Sequence, residues 1–499
     1  MSRRALASGI ALCPYHADVI PGSILSSRRQ TSASCIEALA PISESRYHGR
    51  AESPPTCEGG IMSDQPTLNA DVGRRRATGV PAASEIPAAD RDVLRRLAAD
   101  KMAIGSLPIQ AENRALWVRL NRLEPVRPLV WINEIPWHEM NVDDELTLRC
   151  EHPFCQALER GLRQELYQWR HMPGDMIVDP LIYVPLAISD TGFGIDEDVD
   201  IVRTDDTSSV VSRHFHRQIN GMADVDRIQM PTVTHDEAIS QARLETVSAL
   251  VGDLIPVQLR GQPGFWFAPW DELIRWWTVE GAMVDLVDRP ELVEAVMDRL
   301  VTAYCHRLDQ YEEQGLLALN NHNARIGSGG YGCTDELPQD DFDPEHVRTQ
   351  DIWGCATAQI FSDVSPRMHK RFALKYERRW MDRFGLTYYG CCEPLDIKMG
   401  MLREVDNLRK VSMSPWVDLQ RAVDRVGVDY VFSRKPNPAI FAEERFNPDK
   451  ARSILRETLD VIHDCRVELI MKDISTVRYE PQRLWNWAQI AAEEVARYA

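Results

Sequence analysis

From residue 125 onward, short apolar runs rich in β-branched and aromatic residues recur along the chain, separated by stretches with helical periodicity. The runs cover 128–133, 176–179 with a continuation through 181–184, 255–260, 316–321, 386–390, 410–413, 428–433 and 467–471. Each has strand length, and Gly, Pro, Asn or Asp bounds most of them. Between them, Leu292, Val296, Leu300 and Val301 share one helical face behind Pro290, and 419–426 and 448–462 repeat that pattern. Eight strands alternating with helices predict an α/β protein of the (β/α)8 TIM-barrel type, with a doubly wound sheet as the alternative.

The pattern fails upstream. Residues 1–61 are rich in Ser, Ala, Arg and Pro without lasting periodicity, and are expected to be a disordered extension or one arising from start-site choice, Met62 having the look of a natural start. Residues 62–120 read as a flexible lead-in with N-terminal helices, ordered from about Asp90, a candidate helix N-cap. The barrel is expected over 121–499.

Composition narrows the function classes. The 499 residues are 44% hydrophobic and 26% charged, which suits a globular protein with a sizeable core. A net charge of -18 disfavours nucleic acid and anionic membrane as partners. No apolar run is long enough to span a bilayer. Arg3-Arg4 followed by Ala5 to Cys13 faintly resembles an export signal, but the apolar part is short and broken by Ser8 and Gly9. The 11 cysteines lack a regular spacing, so free thiols in the cytoplasm are expected rather than a disulfide framework.

In a barrel of this kind, reactive groups lie just after each strand. The residues there are Asn133 and Glu134, Arg260, Asn321 with His322 and Asn323, Cys391-Cys392-Glu393, Ser414 and Trp416, Arg434 with Lys435 and Asn437, and Lys472-Asp473. Polar turns explain any one of them, whereas two thiols, a histidine, carboxylates and several cations together point to an enzyme. His322, Glu134 and Asp473 are candidate acid–base groups. Asn133, Arg260, Asn321, Trp416, Arg434, Lys435 and Lys472 are candidates for binding a small anionic substrate. Cys391, Cys392, Glu393 and His322 are candidate metal ligands, and either thiol is a candidate nucleophile. Adjacent strand residues face opposite sides, so only one thiol should face the site unless the chain turns there. The Gly-rich segment 327–332 lacks the Lys-Ser/Thr of a phosphate loop, and reads as a mobile loop within a lid over 325–350. His214-Phe215-His216 alternates as a strand ligand pair does, but a solvated loop pair is the favoured reading.

Four segments carry a family resemblance. Ile255-Pro256-Val257-Gln258-Leu259-Arg260-Gly261-Gln262-Pro263, running on to Val279-Glu280-Gly281, is similar to a strand, Gly-x-Pro turn and helix of the uroporphyrinogen decarboxylase superfamily. Asp288-Arg289-Pro290 resembles its next helix start, Asp351-Ile352-Trp353-Gly354 its Asp-x-Trp-x-Gly turn, and Ser433-Arg434-Lys435-Pro436-Asn437-Pro438 its Gly-Asn-x-Asp-Pro turn. The superfamily comprises tetrapyrrole decarboxylases and zinc-dependent, corrinoid-linked methyltransferases. The resemblance therefore implies a barrel enzyme, with zinc as a cofactor, a corrinoid as methyl carrier on a partner protein, and pairing into a homodimer. Two departures stand out. Asn133-Glu134-Ile135-Pro136-Trp137-His138 replaces the decarboxylases' Arg-Gln-Ala-Gly-Arg-Tyr, so the guanidinium partners of a polycarboxylate are missing. Tyr389 replaces the His of the methyltransferases' His-x-Cys, and Met471-Lys472-Asp473 has no Cys where a late ligand belongs. Methyl transfer is the leading expectation, with tetrapyrrole decarboxylation and a non-catalytic ligand-binding barrel as alternatives.

Overall fold

A computed structural model describes residues 80–202 and 212–498; the expected extension over 1–61, and the lead-in up to residue 79, lie outside the described residues. Twelve strands are present there. They are β1 (Leu129–Ile132), β2 (Ile182–Pro185), β3 (Ile188–Asp190), β4 (Val199–Val202), β5 (Ser212–Phe215), β6 (Val233–His235), β7 (Val257–Arg260), β8 (Trp353–Ala356), β9 (Leu386–Tyr389), β10 (Leu408–Met413), β11 (Val431–Arg434) and β12 (Arg466–Met471).

The centre is a six-stranded parallel sheet in the order β1-β12-β11-β10-β9-β8, giving a mixed α/β architecture. Trp131 lies opposite Ile470, Ser433 opposite Glu468, and Ser412 opposite Ser433. The two-residue alternation of a strand splits this sheet into two faces. Val130, Ile132, Tyr389, Phe432 and Leu469 pack on the surrounding helices with Val296, Leu300 and Trp380. Leu129, Trp131, Val431 and Ile470 pack on the other, inner face with Trp117, Tyr331 and Cys333. Helices Pro290–Glu313, Leu419–Val426 and Pro448–Ile462 form where their apolar spacing predicts.

A closed eight-stranded ladder is not formed, and the reason is local. The 176–179 run is buried but forms no ladder with β1; Asp175 just before it links to Val130, its amide donating to the Val130 carbonyl at 2.8 Å and its carboxylate accepting from the Val130 amide at 2.7 Å. Its continuation forms β2, which pairs in parallel with β7 as a separate sheet. The 316–321 run makes one parallel bridge, between Leu317 and Gln262. Beside β8 the Asn320 side chain takes the place of a strand: its Oδ1 accepts from the Trp353 amide at 2.9 Å, and its Nδ2 donates to the Trp353 carbonyl at 3.0 Å.

Further expectations are corrected. The 351–354 segment, read as a turn, is continuous with strand β8. The first described helix starts at Ala88, and Asp90 does not cap it; its buried carboxylate accepts from the amides of Glu151 at 3.0 Å and His152 at 2.8 Å. His214 lies in β5, paired antiparallel with β4, and the His216 imidazole meets Asp200 at 3.0 Å rather than a ligand partner. Among the described residues no helix is long and apolar enough to cross a membrane.

Candidate active site

The strand ends of the central sheet gather most of the expected groups, and the backbone shows how. Strand β9 ends at Tyr389, and Gly390 follows with φ +97. A Cβ there would lie 2.4 Å from Leu395 Cδ1, so only glycine makes this turn. The turn breaks strand alternation and brings both thiols to one place, with Cys391 Sγ 3.5 Å from Cys392 Sγ. At the ends of β1 and β12, Asn133 and Lys472 are each followed by a carboxylate residue in the left-handed region, Glu134 at φ 52 and Asp473 at φ 56. Non-glycine residues are held there only where the surroundings over-determine them, as at many active sites.

These turns assemble a buried ionic cluster. Lys472 Nζ donates to Asp473 Oδ2 at 2.7 Å, lies 3.3 Å from Glu134 Oε2, and approaches Cys391 Sγ at 3.6 Å. Arg325 pairs with Glu134 at 2.6 Å, and the Asp473 amide donates to Glu134 at 3.1 Å. Cys392 Sγ lies 3.7 Å from Asp473 Oδ2. Burial opposes the charge on Glu134, but Lys472 and Arg325 outweigh it and hold the carboxyl well below its ordinary range. Burial also opposes the charge on Lys472, yet Asp473, Cys391 and Glu134 keep it firmly protonated. Asp473 is raised, by burial first and by Glu134 against the pull of Lys472. The Cys391 thiol is pushed well up by its contact with Cys392 and by burial, so its resting form is the protonated thiol.

A second layer lies deeper on the inner face. Lys410 and Glu468, both fully buried, pair at 2.9 Å. Glu468 also accepts from Ser433 Oγ at 2.6 Å and the Gly330 amide at 3.1 Å. Lys435 Nζ sits above them, bonded to the Tyr388 hydroxyl and 2.6 Å from Ser433 Oγ. Ser328 Oγ meets the Tyr388 hydroxyl at 3.0 Å and donates to the Gly390 carbonyl at 3.0 Å. The Gly-rich segment is therefore no exposed lid. Residues 328–334 are buried against this layer, and a Cβ on Gly329 would lie 2.5 Å from the Tyr388 ring and 2.6 Å from Glu468. The glycines serve close approach rather than mobility.

The remaining expected residues fall elsewhere. His322 accepts no thiol neighbour; it lies 3.3 Å from an Arg260 nitrogen and 3.0 Å from the Asn323 amide oxygen, stacked on Tyr183 with 6.0 Å between centroids. Burial and then Arg260 lower its pKa. Arg260 covers the same Tyr183 ring at 4.4 Å. Asn321 serves the loop, donating to the Leu337 carbonyl at 2.8 Å. Glu393 turns back on its own segment, accepting from the Cys391 amide at 2.8 Å and Thr357 at 3.0 Å. Trp416 is exposed. Arg434 is opposite Met413 and Leu469, which face the helices, and donates to the Ser414 carbonyl at 2.5 Å. Asn133 is buried with both amide atoms unpartnered, beside Glu134.

Zinc fits this arrangement poorly. Tyr389, where the resemblance expects a histidine, points to the helix side, where its hydroxyl meets His369 at 2.6 Å and Glu377 at 2.7 Å. His322 and Glu393 are committed to other partners, and a lysine ammonium stands beside Cys391 where a cation would bind. Among the described residues no group of three or more His, Cys, Asp or Glu side chains is placed to hold a metal ion. Sequence reasoning overlooked Lys410, Glu468, Tyr388, Ser433 and Arg325. The available signal was a charge inside a strand run, as in Val467-Glu468-Leu469 and Lys410-Val411.

No protein-family model matches the chain, and no curated protein matches it either. Among solved structures, a methyltransferase from Methanosarcina mazei is similar, at 10% identity and a TM-score of 0.43, covering 77% of this chain and 98% of that one.

Proposed function

We propose that the chain is a barrel enzyme of the uroporphyrinogen decarboxylase type that transfers a methyl group, with Cys391 as the acceptor and the ends of β1, β9 and β12 as the active site. The observation carrying this reading is a thiol pair whose Cys391 Sγ lies 3.6 Å from the Lys472 ammonium inside an ionic cluster. The family resemblance of residues 255–263 and 288–290 adds to it. The missing arginines after β1 count against a tetrapyrrole polycarboxylate.

In the reaction the Cys391 S–H bond breaks and its proton passes by way of Cys392 to the Asp473 carboxylate. The sulfur lone pair then attacks the methyl carbon, the S–C bond forms, and the donor's leaving group departs with the bonding electrons. Lys472 stabilises the sulfur as negative charge develops on it. The methyl source is a small methylated anion or the methyl-corrinoid of a partner protein. Burial of Cys391 and Lys472 limits the access of water to the nucleophile.

The test is to incubate the protein with methylcobalamin and with small methylated anions, then map the added methyl mass by peptide mass spectrometry. Methyl on Cys391, lost in Cys391→Ser and retained in Cys392→Ser, supports the reading. No methylation of Cys391 by any donor sinks it. Metal analysis of the same sample is expected to find zinc well below one per chain. Stoichiometric zinc that vanishes in Cys391→Ala would replace this reading with a metal-centred one.

A further inference from the structure

On the inner face of the central sheet four cations, Lys410, Lys435, Lys472 and Arg325, stand against three carboxylates, Glu468, Glu134 and Asp473. Three pairs take up the carboxylates: Lys410 with Glu468 at 2.9 Å, Arg325 with Glu134 at 2.6 Å, and Lys472 with Asp473 at 2.7 Å. Lys435 is left over. Its Nζ bonds the Tyr388 hydroxyl, Ser433 Oγ at 2.6 Å and the Ser433 carbonyl at 3.1 Å, all of them neutral groups. It is 3% exposed.

A buried ammonium without a carboxylate costs far more than a buried amine. An amine also suits these partners better, because its lone pair accepts from one hydroxyl while its N–H groups donate to the carbonyl and the other hydroxyl. The Lys435 pKa is drawn down to about 7, by burial first and then by Lys472 and Arg325, against the opposing pull of Glu468. The Tyr388 hydroxyl, next to this nitrogen, is raised by burial and by Glu468, so it stays protonated and able to donate. A neutral amine on a rigid strand end, beside other cations and a proton-bearing hydroxyl, is the arrangement of an amine nucleophile.

We propose that Lys435 forms an imine with a small carbonyl compound, an activity separate from methyl transfer at Cys391. The Lys435 nitrogen attacks the carbonyl carbon, forming the C–N bond and a carbinolamine. Tyr388 gives its proton to the former carbonyl oxygen and recovers one from the nitrogen, and a second such exchange puts two protons on the oxygen and strips both from the nitrogen, whose lone pair closes the C=N bond. The C–O bond then breaks and that oxygen leaves as water, so amine and carbonyl give imine and water with no oxidant or reductant.

Trapping tests this directly. The full-length protein is treated at neutral pH with glyoxylate or pyruvate and sodium borohydride, digested, and mapped by mass spectrometry. At neutral pH an ordinary lysine is free amine to only about one part in a thousand. Lys435 is therefore expected to carry the reduced adduct well ahead of the exposed Lys450, with labelling that falls as the pH drops below about 7. Methyl on Cys391 is scored in a separate digest of methyl-donor-treated protein, so failure of the Lys435 adduct and failure of the methyl-transfer reading are seen independently. Wild-type protein in which neither probe labels Lys435, or labels it no faster than Lys450, overturns the proposal. That readout needs no variant to fold. Lys435→Met, checked by circular dichroism, is expected to lose the adduct.

Discussion

Glu134 holds two cations at once, Arg325 at 2.6 Å and Lys472 at 3.3 Å, from a strained left-handed position. Glu134→Gln keeps the shape and removes the charge, leaving two buried cations short of a counter-charge. Breaking such a buried arrangement costs about 3–5 kcal/mol, and a fall in the denaturation midpoint of that size is expected at unchanged slope. A midpoint within experimental error of the wild type would show that the pairing contributes little. The Lys410–Glu468 pair gives a second case, because both side chains are fully buried. Lys410→Met alone strands Glu468 and is expected to destabilise by about 3–5 kcal/mol. Lys410→Met with Glu468→Leu removes both charges and is expected to recover part of that loss. A double variant no better than the single would mean that the hydrogen bonds to Ser433 and Gly330, rather than the ion pair, dominate.

At the scale of elements, the Gly-rich segment has changed role from lid to inner packing, and its glycines can be tested as such. Gly329→Ala places a methyl 2.5 Å from the Tyr388 ring and 2.6 Å from Glu468. Overpacking of this kind costs about 1–3 kcal/mol, and thermal unfolding is expected to show it; an alanine tolerated without loss would restore the mobile-loop reading. The sequence made some elements legible and hid others for physical reasons. Helices Pro290–Glu313, Leu419–Val426 and Pro448–Ile462 could be read because one apolar face meets one sheet. Strands β9 to β12 could be read from their aromatic and aliphatic residues, although Lys410, Ser433 and Glu468 interrupt the apolar runs. Strand β8 was missed because Trp353-Gly354-Cys355-Ala356 holds neither a β-branched residue nor alternation. The 316–321 run looked like a strand, yet Asn320 bonds β8 through its side chain, which no pattern of apolar residues announces. The site was half legible: Cys391, Glu134, Lys472 and Asp473 follow from strand ends, whereas His322 and Glu393 separate from them through loop geometry.

For the molecule as a whole, the acidic balance of -18 and the ion pairs together set how stability responds to pH. Several carboxyls are held below their ordinary range in the folded state. Glu134 is held by Lys472 and Arg325, Glu468 by Lys410 and Lys435, and Asp285 by Arg289 and Trp277, in each case against burial. Glu494 is pulled down to about 2, by Arg456 first and then by Arg452 and Arg497. A carboxyl whose folded pKa is depressed binds fewer protons folded than unfolded, so its contribution is fully present above the ordinary carboxylate range. That contribution is lost as the pH falls through the ordinary value of 4.5 towards the folded one, near 2 for Glu494. Self-repulsion at net negative charge eases over the same interval, which favours folding, but it acts between exposed, solvent-screened groups. The paired buried carboxyls should therefore dominate. Asp473, Asp271 and Glu377 are raised, by burial first, and add stability as the pH falls towards the ordinary range, so denaturant midpoints are expected to hold or rise slightly down to about pH 5 and then fall steeply. The fall should be shallower in the Lys410→Met, Glu468→Leu double variant, which has one depressed carboxyl fewer. A midpoint that rises between pH 5 and pH 3 would show instead that relief of the surplus negative charge outweighs the buried pairs.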